Sequence, residues 1–372
     1  MSDRFFVGTR KGLFRFERQP DGTWKQASES FLGIQVPAIL PDARDGTLYA
    51  AVEHGHFGTK VHRSTDAGDT WEELDPPKYP EKPDDAPVIM DAFRQVEVPW
   101  SLEKIWILEA GGPDQPGMLW AGTIPGGLFR STDRGQTWEL NRPLWDHPAR
   151  AKWAGGGYDF PGIHSICVDP RDSNRLSLGI SCGGVWNTTD GGRSWEQGAH
   201  GMRYDFLPAE QGGADPDGQD PHRMVRCPGS PDQFWIQHHS YLYRSTDGAR
   251  SWQEFSDVKP SPFGFAVAVH PTDPDTAWFV PAKKDEFRYP VDGRLIVNRT
   301  RDGGATFEPL TDGLPAPPAY DLVYRHAFEV DPTGEKLVMG STTGGLWISE
   351  NQGDQWQLLS AHLPPVFCAR FG

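Results

Sequence analysis

The chain has 372 residues, a formal charge of −15 and a pI near 5.2. That charge repels phosphate backbones and anionic lipid, which argues against nucleic acid or a membrane surface as partner. Its 42 glycines and 34 prolines, beside 15 tryptophans and 20 phenylalanines, describe many short aromatic-rich strands between turns and exclude a mainly helical fold.

The N-terminal "MSDRFFVGTRKG" has no basic region followed by a long apolar run. No stretch approaches the ~18–20 apolar residues of a spanning helix, so the expected location is the cytoplasm. In chain order, "VGTRKGLFRFERQPDGTW" (7–24) supplies two strands and a "DGTW" ending, with no inner strand before it. A nine- or ten-residue unit then recurs: "RSTDAGDTW" (63–71), "RSTDRGQTW" (130–138), "NTTDGGRSW" (187–195), "RSTDGARSW" (244–252) and "NRTRDGGATF" (298–307). A further copy, "ISENQGDQW" (348–356), carries Asn351 in place of the aspartate.

The unit reads as a hairpin clasp. A carboxylate accepts turn amides, glycine takes a positive φ, and the terminal aromatic packs on the sheet. Asp66, Asp133, Asp190, Asp247 and Asp302 are therefore expected to be structural. The segment "HSICVDPRDSNRLSLGISCGGVWNTTDGGRSWEQ" (164–197) shows the surrounding order of strand, Pro-containing turn, strand, Gly-rich turn, strand and clasp.

These clasps resemble the Asp-box, or bacterial neuraminidase repeat, of sialidases, sortilin-type receptors, xyloglucanases and photosystem II assembly factors. The resemblance implies an all-β fold: a seven-bladed β-propeller of four-stranded antiparallel blades. We expect a single domain over 1–372, with blades at about 5–33 plus 366–371, 35–75, 103–141, 163–198, 222–257, 263–310 and 325–360. The orphan strand "VFCARF" (366–371) would complete the N-terminal blade, close the ring and remove its open edges.

In such a ring the segments leading into the inner strands share one face with the turns between second and third strands. His164, His222 and His326 then fall at one equivalent position, which Lys104, Gln35 and Phe265 occupy in other blades. Neutral imidazoles around a channel can hold a divalent metal at ~2.0–2.2 Å, or act as acid and base. They can equally bond a neighbouring blade's backbone. Asp159 and Asp321 each lie five residues before one of these histidines, each after a tyrosine, and Tyr204-Asp205 repeats the pair before His222.

The expected catalytic set is His164, His222, His326, Asp159 and Asp321, with the three histidines also as metal ligands. The turns add Arg10, Lys11, His54, His56, His238, His239, Lys283, Lys284 and Arg288, and the loops add Tyr158 and Tyr204, as substrate-binding groups. Long loops at about 75–102, 141–163 and 198–221 read as lid or pocket wall. Asp215, Asp217 and Asp220 share part of a calcium-loop spacing without its terminal glutamate. The four cysteines have no CxxC pairing, so free thiols are expected; Cys167, Cys227 and Cys368 fall in strand-like runs.

The resemblance and the long loops imply a hydrolase or lyase acting on a small polar or anionic, carbohydrate-like molecule in a His-rich funnel, and the three equivalent histidines make a divalent metal the cofactor to test. A true sialidase is not expected. Those enzymes are six-bladed and carry an Arg-Ile-Pro type motif, three arginines and a Tyr/Glu pair, and the motif has no equivalent here. Xyloglucanases of this type use a cleft between two propellers, and the chain has material for one. The alternative is a non-catalytic ligand-binding or protein-assembly propeller.

Overall fold

The computed structural model describes residues 2–205 and 213–372; the part of the third long loop from 206 to 212 lies outside the described residues. Alternating apolar residues in short runs fold into seven four-stranded antiparallel sheets arranged as a ring. The innermost strands are Val366–Phe371, Gln35–Asp42, Lys104–Ala110, Gly162–Asp169, Pro221–Arg226, Gly264–Val269 and Phe328–Val330. Each packs on the innermost strand of the next blade, so the ring encloses a narrow axis.

The C-terminal strand closes the circle as expected: Phe5 pairs with Phe371 and Val7 with Ala369 in an antiparallel register. The first sheet therefore runs from Val366–Phe371 through Arg4–Thr9 and Gly12–Arg18 to Trp24–Ser30. Core aromatics fill the wedges between blades: Trp120, Trp153, Trp186, Trp235 and Trp278 are each 1% exposed or less.

The clasps form as hydrogen-bonded turns. Thr70 donates its amide and hydroxyl to the two oxygens of Asp66 at 2.9 and 2.6 Å, and Gly68 donates to the Ser64 hydroxyl at 2.8 Å. The same bonds recur at Asp133, Asp190, Asp247 and Asp302. In the sixth unit, Asn351 Oδ1 accepts from Gln355 N at 2.9 Å, so a neutral amide closes the turn too. Two successive residues in each clasp are left-handed, such as Ala67 and Gly68 at φ 59° and 89°, so the motif needs one more positive φ than its glycine alone provides. The closing indole reaches the preceding segment, as when Trp252 donates to Gly198 O at 2.7 Å.

All four cysteines are free. Cys227 lies one residue beyond its strand and is buried, and Cys167 is half-buried rather than fully so. No helix among the described residues is long and apolar enough to cross a membrane.

Candidate functional site

Where the innermost strands begin, the three long loops and the turns between second and third strands converge. Two adjoining cavities of about 260 and 220 Å³ open there, sharing Gly157, Phe265, Arg288 and Arg325 as a common wall. The first is lined also by Gly155, Gly156, Cys182, Tyr204, Asp220, His222, His239 and Asp285, and the second by Lys104, Trp106, Tyr158 and His326.

Two loops are tied together over this mouth. Asp91, fully buried, accepts the amides of Phe93 and Arg94 at 3.0 and 2.8 Å and that of Gly155 at 2.6 Å. Arg94 also pairs with Asp159. Gly156 sits so close that a Cβ there would lie 2.6 Å from Cys182 Sγ and 3.3 Å from Asp220 Oδ2, so only glycine lets the loop cover the acid.

At the centre stands Arg325, 7% exposed. Its guanidinium lies 4.9 Å from the Trp106 ring and 5.3 Å from the Phe265 ring. Among the described residues it makes no ion pair, and its buried Nε has no hydrogen-bond partner. Burial lowers its pKa, partly offset by Asp220. A buried arginine whose planar fork is unmatched by a carboxylate is built to receive an anion.

Beside it lies a second polar group. Asp220 Oδ2 is 3.5 Å from His222 Nε2 and 3.4 Å from His239 Nδ1. Its Oδ1 accepts from the Ser181 hydroxyl at 3.1 Å and from Cys182 N at 3.0 Å. His239 Nε2 is in turn 3.5 Å from Asp285 Oδ2. Burial pushes His222 down to about 4, overriding Asp220. Burial also opposes the charge on His239, but Asp220 and then Asp285 outweigh it and raise the group. Burial would raise Asp220, yet the two imidazoles hold it well below the carboxylate range.

The three equivalent histidines do not form a common ligand set. His164 is fully buried with Nε2 2.7 Å from Pro221 O and Nδ1 2.9 Å from the Ser165 hydroxyl, and His326 Nε2 is 2.7 Å from His164 O. His164 ties its blade to the next one, whereas His326 reaches across the axis to a blade three places away in the ring; in both cases a buried polar ring finds a carbonyl of another inner strand. His222 alone of the three reaches the cluster.

Of the aspartates, Asp159 is exposed and pairs with Arg94, and Asp321 accepts from the Ser341 hydroxyl at 2.7 Å. Each holds a loop and neither lines either of the two cavities. The other turn residues separate in the same way. His239, Arg288, Tyr158 and Tyr204 line the cavities. His238 is fully buried, with Nε2 accepting from Asp220 N at 3.2 Å.

Arg10, Lys11 and His56 are exposed on the same face outside both cavities, and His54 is half-buried there. Lys283 donates to the Tyr289 hydroxyl at 3.1 Å, and Lys284 pairs with Glu286 at 3.4 Å. The calcium-loop spacing dissolves: Asp215 and Asp217 pair with Lys152 at 3.2 and 2.9 Å, while Asp220 turns inward. Sequence reasoning missed Arg325 and Trp106. Arg325 had a signal, standing next to an aligned histidine, where inner-strand residues face the axis.

The model of the BNR/Asp-box repeat matches residues 129–140, the second full clasp. That match identifies the repeated clasp, and the clasps sit within a ring of seven four-stranded blades. The chain is an Asp-box β-propeller. Its superfamily includes xyloglucanase-like members.

The propeller is 26% identical over 291 residues to a probable oligoxyloglucan-reducing end-specific xyloglucanase of Neosartorya fischeri, covering 71% of this chain and 33% of that protein. It is 37% identical over 76 residues to xyloglucanase Xgh74A of Acetivibrio thermocellus, covering 19% of this chain and 8% of that protein. It thus spans at most a third of the curated relatives it matches. Among solved structures, the GH74 xyloglucanase from Xanthomonas campestris superposes with a TM-score of 0.65 at 20% identity, over 97% of this chain and 53% of that one. YCF48 from Cyanidioschyzon merolae superposes with a TM-score of 0.54 at 12% identity, over 89% and 87%. Both likenesses are of fold.

Proposed function

We propose that the propeller binds a small anionic, carbohydrate-like molecule in the paired cavities and cleaves it by hydrolysis or elimination. The carrying observation is Arg325: a buried guanidinium, over the rings of Trp106 and Phe265 and without an acidic partner among the described residues, at the wall both cavities share. A carboxylate on the ligand supplies the missing acceptor, and the aromatic rings supply flat apolar faces for a sugar ring. The Asp220–His222–His239 group borders the same space and offers the reacting end its polar chemistry.

Relatives named as xyloglucanases support a glycosidase-like reading of the fold. The small cavities of this single ring favour a one- or two-ring ligand over a long polymer. An assembly surface, the competing reading, gives no reason to bury a cation that meets no carboxylate among the described residues.

Calorimetric titration with uronates, aldonates, sugar lactones and neutral xyloglucan oligosaccharides tests this, with products followed by mass spectrometry. We expect the acids to bind and Arg325→Met to weaken them by ~10-fold or more, as for loss of a charge-assisted hydrogen bond worth ~1.5–3 kcal/mol. Arg325→Lys, which keeps the charge, should recover part of the affinity. Equal affinity for neutral and acidic sugars, or no binding of any acid, refutes the reading.

A further inference from the structure

The floor of the first cavity carries a feature that hydrogen bonding by neutral imidazoles does not satisfy. His222 is 3% exposed and its Nδ1 lies 2.6 Å from Gly264 O. A carbonyl oxygen only accepts, so Nδ1 carries the hydrogen. In the neutral ring, Nε2 then points a lone pair at Asp220 Oδ2, 3.5 Å away. His239 Nδ1 approaches the same oxygen at 3.4 Å.

Protons screen both approaches only if His222 becomes an imidazolium beside the buried Arg325 while His239, its ring centroid 5.3 Å away, donates from Nδ1. One divalent cation between the three atoms screens all of them at once. The separations suit it. Donors bound at ~2.1 Å around a tetrahedral centre stand ~3.4 Å apart, and the three donor atoms all lie within 4.8 Å of one another.

Each donor also has the outer partner that a metal ligand needs. Gly264 O orients His222, and Asp285 Oδ2 lies 3.5 Å from the far nitrogen of His239. The Ser181 hydroxyl and Cys182 N hold Asp220 by its other oxygen. Such partners fix tautomer and ring orientation in metal sites.

We propose that Asp220 Oδ2, His222 Nε2 and His239 Nδ1 bind a divalent transition cation of the Zn²⁺, Mn²⁺ or Fe²⁺ type, with its remaining positions open to the cavity. Two imidazoles and one carboxylate suit these ions better than the all-oxygen preference of Ca²⁺ or Mg²⁺. The open positions and Arg325 line the same cavity, so a bound anion is shared between the two cations. The shared anion rests on the proposed function, whereas cation binding stands without it.

The test uses the full chain without a histidine tag, stripped with chelator and titrated calorimetrically with Zn²⁺ and Mn²⁺, and with Co²⁺ followed by its visible absorption. We expect one equivalent per chain. Affinity should fall ~100-fold or more in His222→Gln and Asp220→Asn, and ~10-fold in Asp285→Asn, whose side chain is an outer partner. Binding should persist in His164→Gln and His326→Gln. Circular dichroism and melting identify any variant that fails to fold; Asp285, 36% exposed along its side chain, supplies the variant least exposed to that failure.

Absence of stoichiometric binding to the wild-type chain overturns the proposal, as does unchanged affinity in His222→Gln or Asp285→Asn. Loss of binding in folded His164→Gln also overturns it. Retained cation binding with no response to any acid would leave this site standing and refute the proposed function alone.

Discussion

The clasp aspartates show how much a single side chain does in a repeat. Asp247 accepts from Ser251 N and Oγ at 3.0 and 2.6 Å. Its carboxyl is held down to about 2: burial opposes the charge, and the Ser251 bonds outweigh that penalty. Because the folded value lies below the ordinary one, the stabilisation is full above about pH 4 and is lost as pH falls through about 2. Asp247→Ala should cost ~1–2 kcal/mol at neutral pH, the scale of two modest net hydrogen bonds, read by urea unfolding. Asp247→Asn should cost less, since Asn351 closes an equivalent turn, and should remove that site's share of the stability lost between pH 4 and 2. These residues were legible because the clasp is local, with donor and acceptor four positions apart.

At the scale of elements, the lid is held by backbone amides gathered on one acid. Asp91 was not legible as special, because its partner Gly155 is 64 positions away and no periodicity links them. Asp91→Ala leaves the buried Gly155 amide and two part-buried loop amides without an acceptor, and we expect faster hydrogen exchange around residues 91–95 and 154–158 while the inner strands stay protected. Anion affinity should drop with it, since Gly155–Gly157 form part of the cavity wall. Unchanged exchange in both loops would show that the tie is dispensable. The long loops themselves could be read from length and composition; which of their acids faces inward could not. Asp215, Asp217 and Asp220 look alike in sequence, and only Asp220 meets the imidazoles.

For the whole molecule, closure depends on the last strand. Val366–Phe371 supplies the innermost strand of the first blade, with Cys368 and Phe371 at 1% and 9% exposure. Removing residues 366–372 opens the ring and exposes the edge of Arg4–Thr9. We expect the truncated chain to lose its cooperative melt, or to melt at least ~10 °C lower, by calorimetry. A melting temperature equal to that of the full chain would refute closure as a source of stability.

The amino-acid order by itself determined the blade count, the clasp, the closing strand and the face on which chemistry collects. All of these follow from short-range turn bonding, period-two alternation and repetition, which leave a mark in sequence. What only the tertiary structure decided is which polar groups meet. His164 and His326 share their repeat position with His222, yet the backbone carbonyl nearest to each binds the first two. His222 keeps one nitrogen directed at Asp220 because its other nitrogen meets Gly264 O. Arg325 became informative only once burial removed water from it and no carboxylate among the described residues replaced that water. Burial and partner choice across blades are set by ring closure, and no local pattern encodes them.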